Sequence, residues 1–366
     1  MPLAKVHRIS AAGPDDVQGI AEAIGAGRID PRGVIAVFGK TEGNGCVNDF
    51  SRGFATTSLT QLFNRHLPEA EARRICLVMS GGTEGGMAPH WTVFERSEPA
   101  AEASGGALAI GRAHTGVLPF HGLGRRAQVE MVADGVRRAM ADADVQDVDD
   151  VHFVQVKCPL LTVQRAKEAL SAGHTVATTD TLKSMALSRA ASALGVAVTL
   201  KEIAADAFQD ADIGTALDLW SDRASCSAGI ELLGHEIVVL GTSPSWSGPL
   251  AIEHAVMHDA IDIEPVRGAL RRLGLAVMGQ LLPLQRGKIV AVLAKAEASR
   301  SGLLRSYRHT MLDDSDISST RHARAFVCGA LAGLIGHAEI YVSGGAEHQG
   351  PDGGGPVAVI VDRSVV

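Results

Sequence analysis

Aromatic side chains are scarce, at 4% of 366 residues, with three Trp, two Tyr and nine Phe. A core so poor in large rings must pack through small residues, and 41 glycines point to many tight backbone turns. No stripe of basic residues interleaved with aromatics occurs, and the formal charge of -7 argues against a nucleic-acid partner. Long apolar runs are missing too. Nothing approaches the roughly 20 residues of a membrane span, and Met1 to Ala12 lacks the apolar region of a signal peptide. No C-x-x-C pair is present. The five cysteines, at 46, 76, 158, 226 and 328, are odd in number, which predicts free thiols in a reducing cytoplasm.

What the chain does contain is a motif in three copies. Ser80-Gly81-Gly82-Thr83-Glu84, Ser227-Ala228-Gly229-Ile230-Glu231 and Ser343-Gly344-Gly345-Ala346-Glu347 share the pattern Ser, small, Gly, any, Glu. Upstream of each, an apolar run (34–39, 151–156 and 289–294) ends at a lysine: Lys40, Lys157 and Lys295. One strand-closing lysine and one turn-opening serine per third of the chain is an internal repeat. It predicts an α/β protein of three similar units, 1–105, 111–250 and 254–366, about a pseudo-threefold axis.

Coarse periodicity fills in the rest. Helices are expected over 14–24, 56–65, 126–143, 163–172, 181–194, 254–273 and 319–335. Strands are expected at the three lysine runs, at 75–79, within 92–110, and at 196–200, 237–240, 339–342 and 357–361. The small-residue stretch 103–106 reads as the first boundary, the acidic run 142–150 as a solvated connector, and 242–250, with Pro and Gly, as a linker.

If three repeats close on a common centre, the ends of corresponding strands face one cavity. An amine buried there is disfavoured as an ammonium, more so beside two other lysines. A neutral lysine can then take a proton from a serine hydroxyl and make it a nucleophile. Glycines after each serine allow backbone N–H groups to approach a carbonyl oxygen. A third repeated element, Arg52, Arg189 and Arg324, lies 12, 32 and 29 residues after its lysine and offers planar forks of donors. Such a cavity suits a small, flat ring of alternating carbonyl and N–H groups, and attack on one carbonyl would open the ring. Spacing alone does not choose among the three serines.

The pairs Lys40/Ser80, Lys157/Ser227 and Lys295/Ser343, with the runs SGGTEGG, ASCSAGIE and VSGGAEHQGPDGGG, closely resemble the cyanuric acid hydrolase/barbiturase family over essentially the whole chain. The resemblance implies one central active site and a homotetramer. It implies Ser227 as nucleophile and Lys157 as its base. Ser80, Gly81, Ser343, Gly344, Ala228, Arg52, Arg189 and Arg324 would hold the substrate, and Lys40 and Lys295 would complete the outer pairs. It also implies a structural divalent cation, Mg or Ca, at Glu297, Ala346, Gln349, Gly350, Pro351 and Gly354, and no organic cofactor. Carboxylate and carbonyl oxygens are the donors a hard cation takes. The expected reaction is opening of cyanuric acid to carboxybiuret, which loses carbon dioxide to give biuret; barbituric acid, opened to ureidomalonate, is the alternative substrate.

Other signals carry less. Gly39-Lys40-Thr41 lacks the upstream glycine of a phosphate-binding loop, since Val34 stands there. Cys226 has Met79 and Val342 as its counterparts, and in a strand it points away from the Ser227 face. His254 and His258, taken as one helix face, lack the Glu and third ligand of a zinc protease. Two readings compete with the serine hydrolase: a non-catalytic small-molecule-binding module whose Ser-Gly turns act as nests, and a metal-dependent hydrolase.

Overall fold

The computed structural model describes residues 1–98 and 105–365, so the expected boundary at 103–106 lies partly outside the described residues. The first third runs β1 (Leu3–Ser10), α1 (Gln18–Gly25), β2 (Val34–Thr41), α2 (Phe50–Asn64), α3 (Glu69–Ala72), β3 (Cys76–Gly81), β4 (His90–Ser97). Next come β5 (Gly105–His114), α4 (Arg126–Asp142), β6 (Val151–Pro159), α5 (Val163–Ser171), α6 (Thr181–Thr199), β7 (Ala224–Gly229), β8 (Glu236–Ser247). The last third has β9 (Leu250–Met257), α7 (Glu264–Arg272), α8 (Pro283–Gly287), β10 (Ile289–Ala296), a short hairpin of β11 (Leu303–Leu304) and β12 (Tyr307–Arg308), α9 (Ser319–Ile335), β13 (Tyr341–Gly344), β14 (Gly355–Asp362).

The strand orders repeat: β3-β2-β4-β1, then β7-β6-β8-β5, then β13-β10-β14-β9. In each set the two inner strands are antiparallel, and the lysine strand pairs in parallel with the serine strand. The first two sets join at one parallel pairing, Leu3 with Ser247. The lysine strands β2, β6 and β10 are buried along almost their whole length. Strands covered on both faces read as continuous apolar runs, which is why these three were legible.

Side-chain caps set the starts of two site helices. Asp49 accepts from the Ser51 N–H at the head of α2, and Asp180 from the Lys183 N–H at the head of α6. Gly336, at φ 91°, ends α9 in the left-handed region that a residue with Cβ rarely adopts.

Four sequence-based expectations are corrected. Residues 196–199 continue α6 instead of forming a strand. Gly195 and the β-branched Val196 and Val198 all disfavour helix locally, but the helix is buried along most of its length, so packing overrides local preference. Residues 242–247 belong to β8 and pair with β5; the turn to β9 is confined to Gly248, at φ 116°, and its neighbours. Residues 254–257 are strand, paired with β14, and the helix begins only at Glu264. His254 and His258 therefore share no helix face. The first helix starts at Gln18, because Pro14 to Asp16 form a turn in which Asp16 accepts from the Ala12 and Gln18 N–H groups.

Candidate active site

Parallel pairing places each lysine opposite its serine: Lys40 with Ser80, Lys157 with Ser227, Lys295 with Ser343. Cross-strand neighbours in register point to the same face, so all three pairs present an amine beside a hydroxyl. The ladder brings together residues 40 to 70 positions apart that sequence alone could only list in order.

The three pairs also interlock. Lys40 Nζ donates to the Val342 carbonyl at 2.8 Å, Lys157 Nζ to Met79 at 3.0 Å, and Lys295 Nζ to Cys226 at 3.0 Å. Each acceptor is the residue before a motif serine of a different third of the chain. The bonds run cyclically, first third to last, second to first, last to second.

One small cavity is lined by Arg52, Ser80, Gly81, Arg189, Ser227, Ala228, Arg324, Ser343 and Gly344, together with Gly45, Met79 and Met185. Every residue expected to hold substrate is there. The lysines stand behind the serines, fully buried. Burial, aided by Arg324, pushes the Lys40 amine well below its ordinary pKa. Burial, aided by Arg189, brings Lys295 down to about 7.

The dyads are not equivalent. Lys40 lies 3.2 Å from Ser80 Oγ, and Lys295 lies 3.2 Å from Ser343 Oγ. Lys157 instead forms an ion pair of 2.9 Å with Glu231 Oε1, while Ser227 Oγ sits 3.1 Å from Ser343 Oγ. The expected direct lysine contact of the middle serine is thus replaced by a contact between hydroxyls.

The motif glutamates, quoted in the repeat but given no role by it, account for the difference. Glu84 pairs with Arg324, and Glu347 with Arg189 at 2.7 and 2.9 Å, each across thirds of the chain. The same rotation would pair Glu231 with Arg52. Instead Arg52 donates to the Ala228 carbonyl at 3.1 Å and the Cys46 carbonyl at 2.6 Å, leaving Glu231 to Lys157. Burial alone would raise these carboxyls. The cations outweigh it, holding Glu84 below its usual range and Glu231 down at about 2. The clue available in sequence was the invariant place of Glu in all three copies.

Cys226 is fully buried, and burial pushes its thiol well up, as suits an inert core cysteine. All five cysteines are free. His254 Nδ1 faces His152 Nδ1 at 2.9 Å, and among the described residues no group of three His, Cys, Asp or Glu forms a metal cluster.

The expected cation residues gather at the start of β14. Glu297 accepts from the Ala346 N–H at 3.0 Å and the Ala298 N–H at 3.1 Å. Its carboxyl is pushed up by burial and by neighbouring Glu347. Gly350 and Pro351 line a small recess with Glu297 and Ala346. Gln349 turns inward instead: its Oε1 accepts from the Cys226 N–H and its Nε2 donates to the Gly345 and Glu347 carbonyls, which leaves its own carbonyl for a cation. Gly354 approaches the Met257 carbonyl so closely that a Cβ would lie 2.1 Å from it. One enclosed carboxylate amid backbone carbonyls fits a hard divalent ion.

Residues 5–362 match the family described as amidohydrolase ring-opening protein. The chain belongs to that family. It is 66% identical over 365 residues to a cyanuric acid amidohydrolase of Azorhizobium caulinodans, covering 100% of both chains. It is 60% identical to one of a Bradyrhizobium species, over 99% of this chain and 98% of that one. The crystal structure of the Azorhizobium caulinodans cyanuric acid hydrolase superposes with a TM-score of 0.92 at 65% identity, with full coverage of both. A second cyanuric acid hydrolase structure, described as a case of structural concatenation, gives 0.94 at 46% identity, over 99% of this chain and 100% of that one. The protein is therefore an enzyme, a cyclic amide hydrolase with a mixed α/β fold. No helix among the described residues is long and apolar enough to cross a membrane.

Proposed function

We propose that this enzyme opens the ring of cyanuric acid by hydrolysis, giving carboxybiuret, which decarboxylates to biuret. The observation that carries the reading is the closure of three in-register Lys/Ser pairs and three arginines on one cavity. A ring with three carbonyls at 120° has a partner for each. The relatives named as cyanuric acid amidohydrolases favour this substrate over barbituric acid. The cyclic run of lysine-to-carbonyl bonds supports the pseudo-threefold arrangement expected for units 1–105, 111–250 and 254–366, with the last unit starting earlier, at β9 (Leu250).

In this mechanism Ser80, Ser343 and the three arginines orient the ring. Ser227 Oγ attacks the facing carbonyl carbon as its proton passes to Lys157 Nζ. Backbone N–H groups at the glycine turns hold the oxyanion. The ring C–N bond then breaks, and the leaving nitrogen takes the proton from Lys157. Water hydrolyses the acyl-serine and restores the hydroxyl. Glu231, 2.9 Å from Lys157 Nζ, holds the amine in place; with its carboxyl down at about 2 it is not the group that takes the serine proton.

A second proton route has its own support. Ser227 reaches Lys295 through the Ser343 hydroxyl, by steps of 3.1 and 3.2 Å, and Lys295 sits near 7. Under the first route Lys157→Ala abolishes the acylation burst and Lys295→Ala only slows it; under the second the order reverses.

We further propose a divalent cation, Mg or Ca, held by Glu297 with the carbonyls of Ala346, Gln349, Gly350, Pro351 and Gly354. When bound it offsets the paired charges of Glu297 and Glu347 and fixes the loop behind Ser343. A homotetramer is part of the same reading.

The deciding experiment measures turnover of cyanuric and barbituric acid by the wild type and Ser227→Ala. Opening of cyanuric acid that vanishes in the variant is expected. Binding without turnover in the wild type would return the non-catalytic module.

A further inference from the structure

Two residues before each motif serine, on the same face of its strand, stand Val78, Ser225 and Tyr341. Only the last third carries a phenol. Tyr341 is fully buried, its ring centroid 5.6 Å from that of Phe38 and 6.0 Å from Lys40 Nζ. No hydrogen bond of ordinary geometry reaches its hydroxyl. An unpaired polar group enclosed in protein is costly, and phenylalanine would fill the same space without that cost. The Ser227 and Ser80 hydroxyls nonetheless lie near enough to act on it as hydrogen-bonding neighbours, short of a well-formed bond.

A donor left unsatisfied beneath a nucleophile is useful if charge appears there during reaction. Ser227 Oγ meets Ser343 Oγ at 3.1 Å in the resting site. As the serine loses its proton, and again when it leaves the acyl group, negative charge builds on this largely buried oxygen. We propose that the Tyr341 hydroxyl donates a hydrogen bond to Ser227 Oγ in these charged states, making Tyr341 a further catalytic residue of the site. The proposal rests on Ser227 being the nucleophile. No proton is transferred; Tyr341 stays protonated throughout, burial pushing its phenol up and the Ser227 and Ser80 hydroxyls only partly offsetting it.

The test is Tyr341→Phe, which removes one oxygen and keeps the ring, compared with Ser227→Ala on cyanuric acid. Expected for Tyr341→Phe is a fall in kcat of roughly ten- to a hundredfold, the range for a hydrogen bond to a charged group. KM stays unchanged, and Tm stays the same or rises. A wild-type kcat while Ser227→Ala is inactive overturns the role of Tyr341 alone. A fall in kcat with lowered Tm assigns the hydroxyl to structure, and a rise in KM assigns it to substrate binding through Ser80; either overturns the proposal. Retained turnover in Ser227→Ala removes the nucleophile, and the proposal with it.

Discussion

Lys157 Nζ lies 2.9 Å from Glu231 Oε1, the contact that sets the middle dyad apart, because the amines of Lys40 and Lys295 meet no carboxylate among the described residues. A repeat that closes cyclically would treat its three lysines alike. Here the exception follows from Arg52, which turns to backbone carbonyls and releases Glu231.

Glu231→Gln should therefore change the acid limb of the stability profile. With the carboxyl held at about 2 in the folded protein, against about 4.3 unfolded, its contribution is complete above the unfolded value. It is lost as pH falls through the folded one. Urea midpoints from pH 6 down to pH 2 should show a shallower decline between about 4.3 and 2 for the variant. Equal slopes would mean that the pair is solvent-screened.

Glu236 works in the opposite sense. Enclosed and bonded by the Leu77 N–H at 3.0 Å, its carboxyl is raised by burial to about 7. The folded state thus binds the extra proton, and stability falls as pH rises from about 4.3 to 7. Glu236→Gln keeps an acceptor for Leu77 and should stabilise the protein by about 2 kcal/mol at pH 8 and by little at pH 4. Thermal unfolding at the two pH values checks the difference.

Arg189→Met leaves Glu347 without its guanidinium, with Glu297 close by. Removing one partner of a buried pair costs about 3–5 kcal/mol, chiefly through the stranded charge. A drop of that size in the urea-derived stability is expected. A loss below about 1 kcal/mol would show that solvent reaches the pair, as at an exposed bridge.

Chelation should act on stability alone. Dialysis against EDTA is expected to lower Tm, with recovery on adding Mg or Ca, while kcat of the folded enzyme changes less than about twofold. Loss of turnover at an unchanged Tm would favour the metal-dependent hydrolase.

The expected strand 196–200 and the expected helix 254–273 failed for one reason. Val196 and Val198 end a helix because the neighbours of α6 enclose it, and His254 to Met257 form a strand because β14 offers a complete ladder. Neither partner is visible in a local window. Strands β2, β6 and β10 were legible because burial on both faces writes an unbroken apolar run into the sequence.

By itself the sequence determined the repeat: three lysines closing apolar strands, three serines opening glycine turns, and three arginines between them. Those signals are short-range and survive without a fold. Which groups touch was decided by tertiary structure. Arg324 meets Glu84 across 240 positions, and Lys157 meets Glu231 where the repeat alone would place Arg52. The physical reason is that charge pairing in a buried centre depends on distances set by chain closure, and chains of equal pattern can settle those pairings differently.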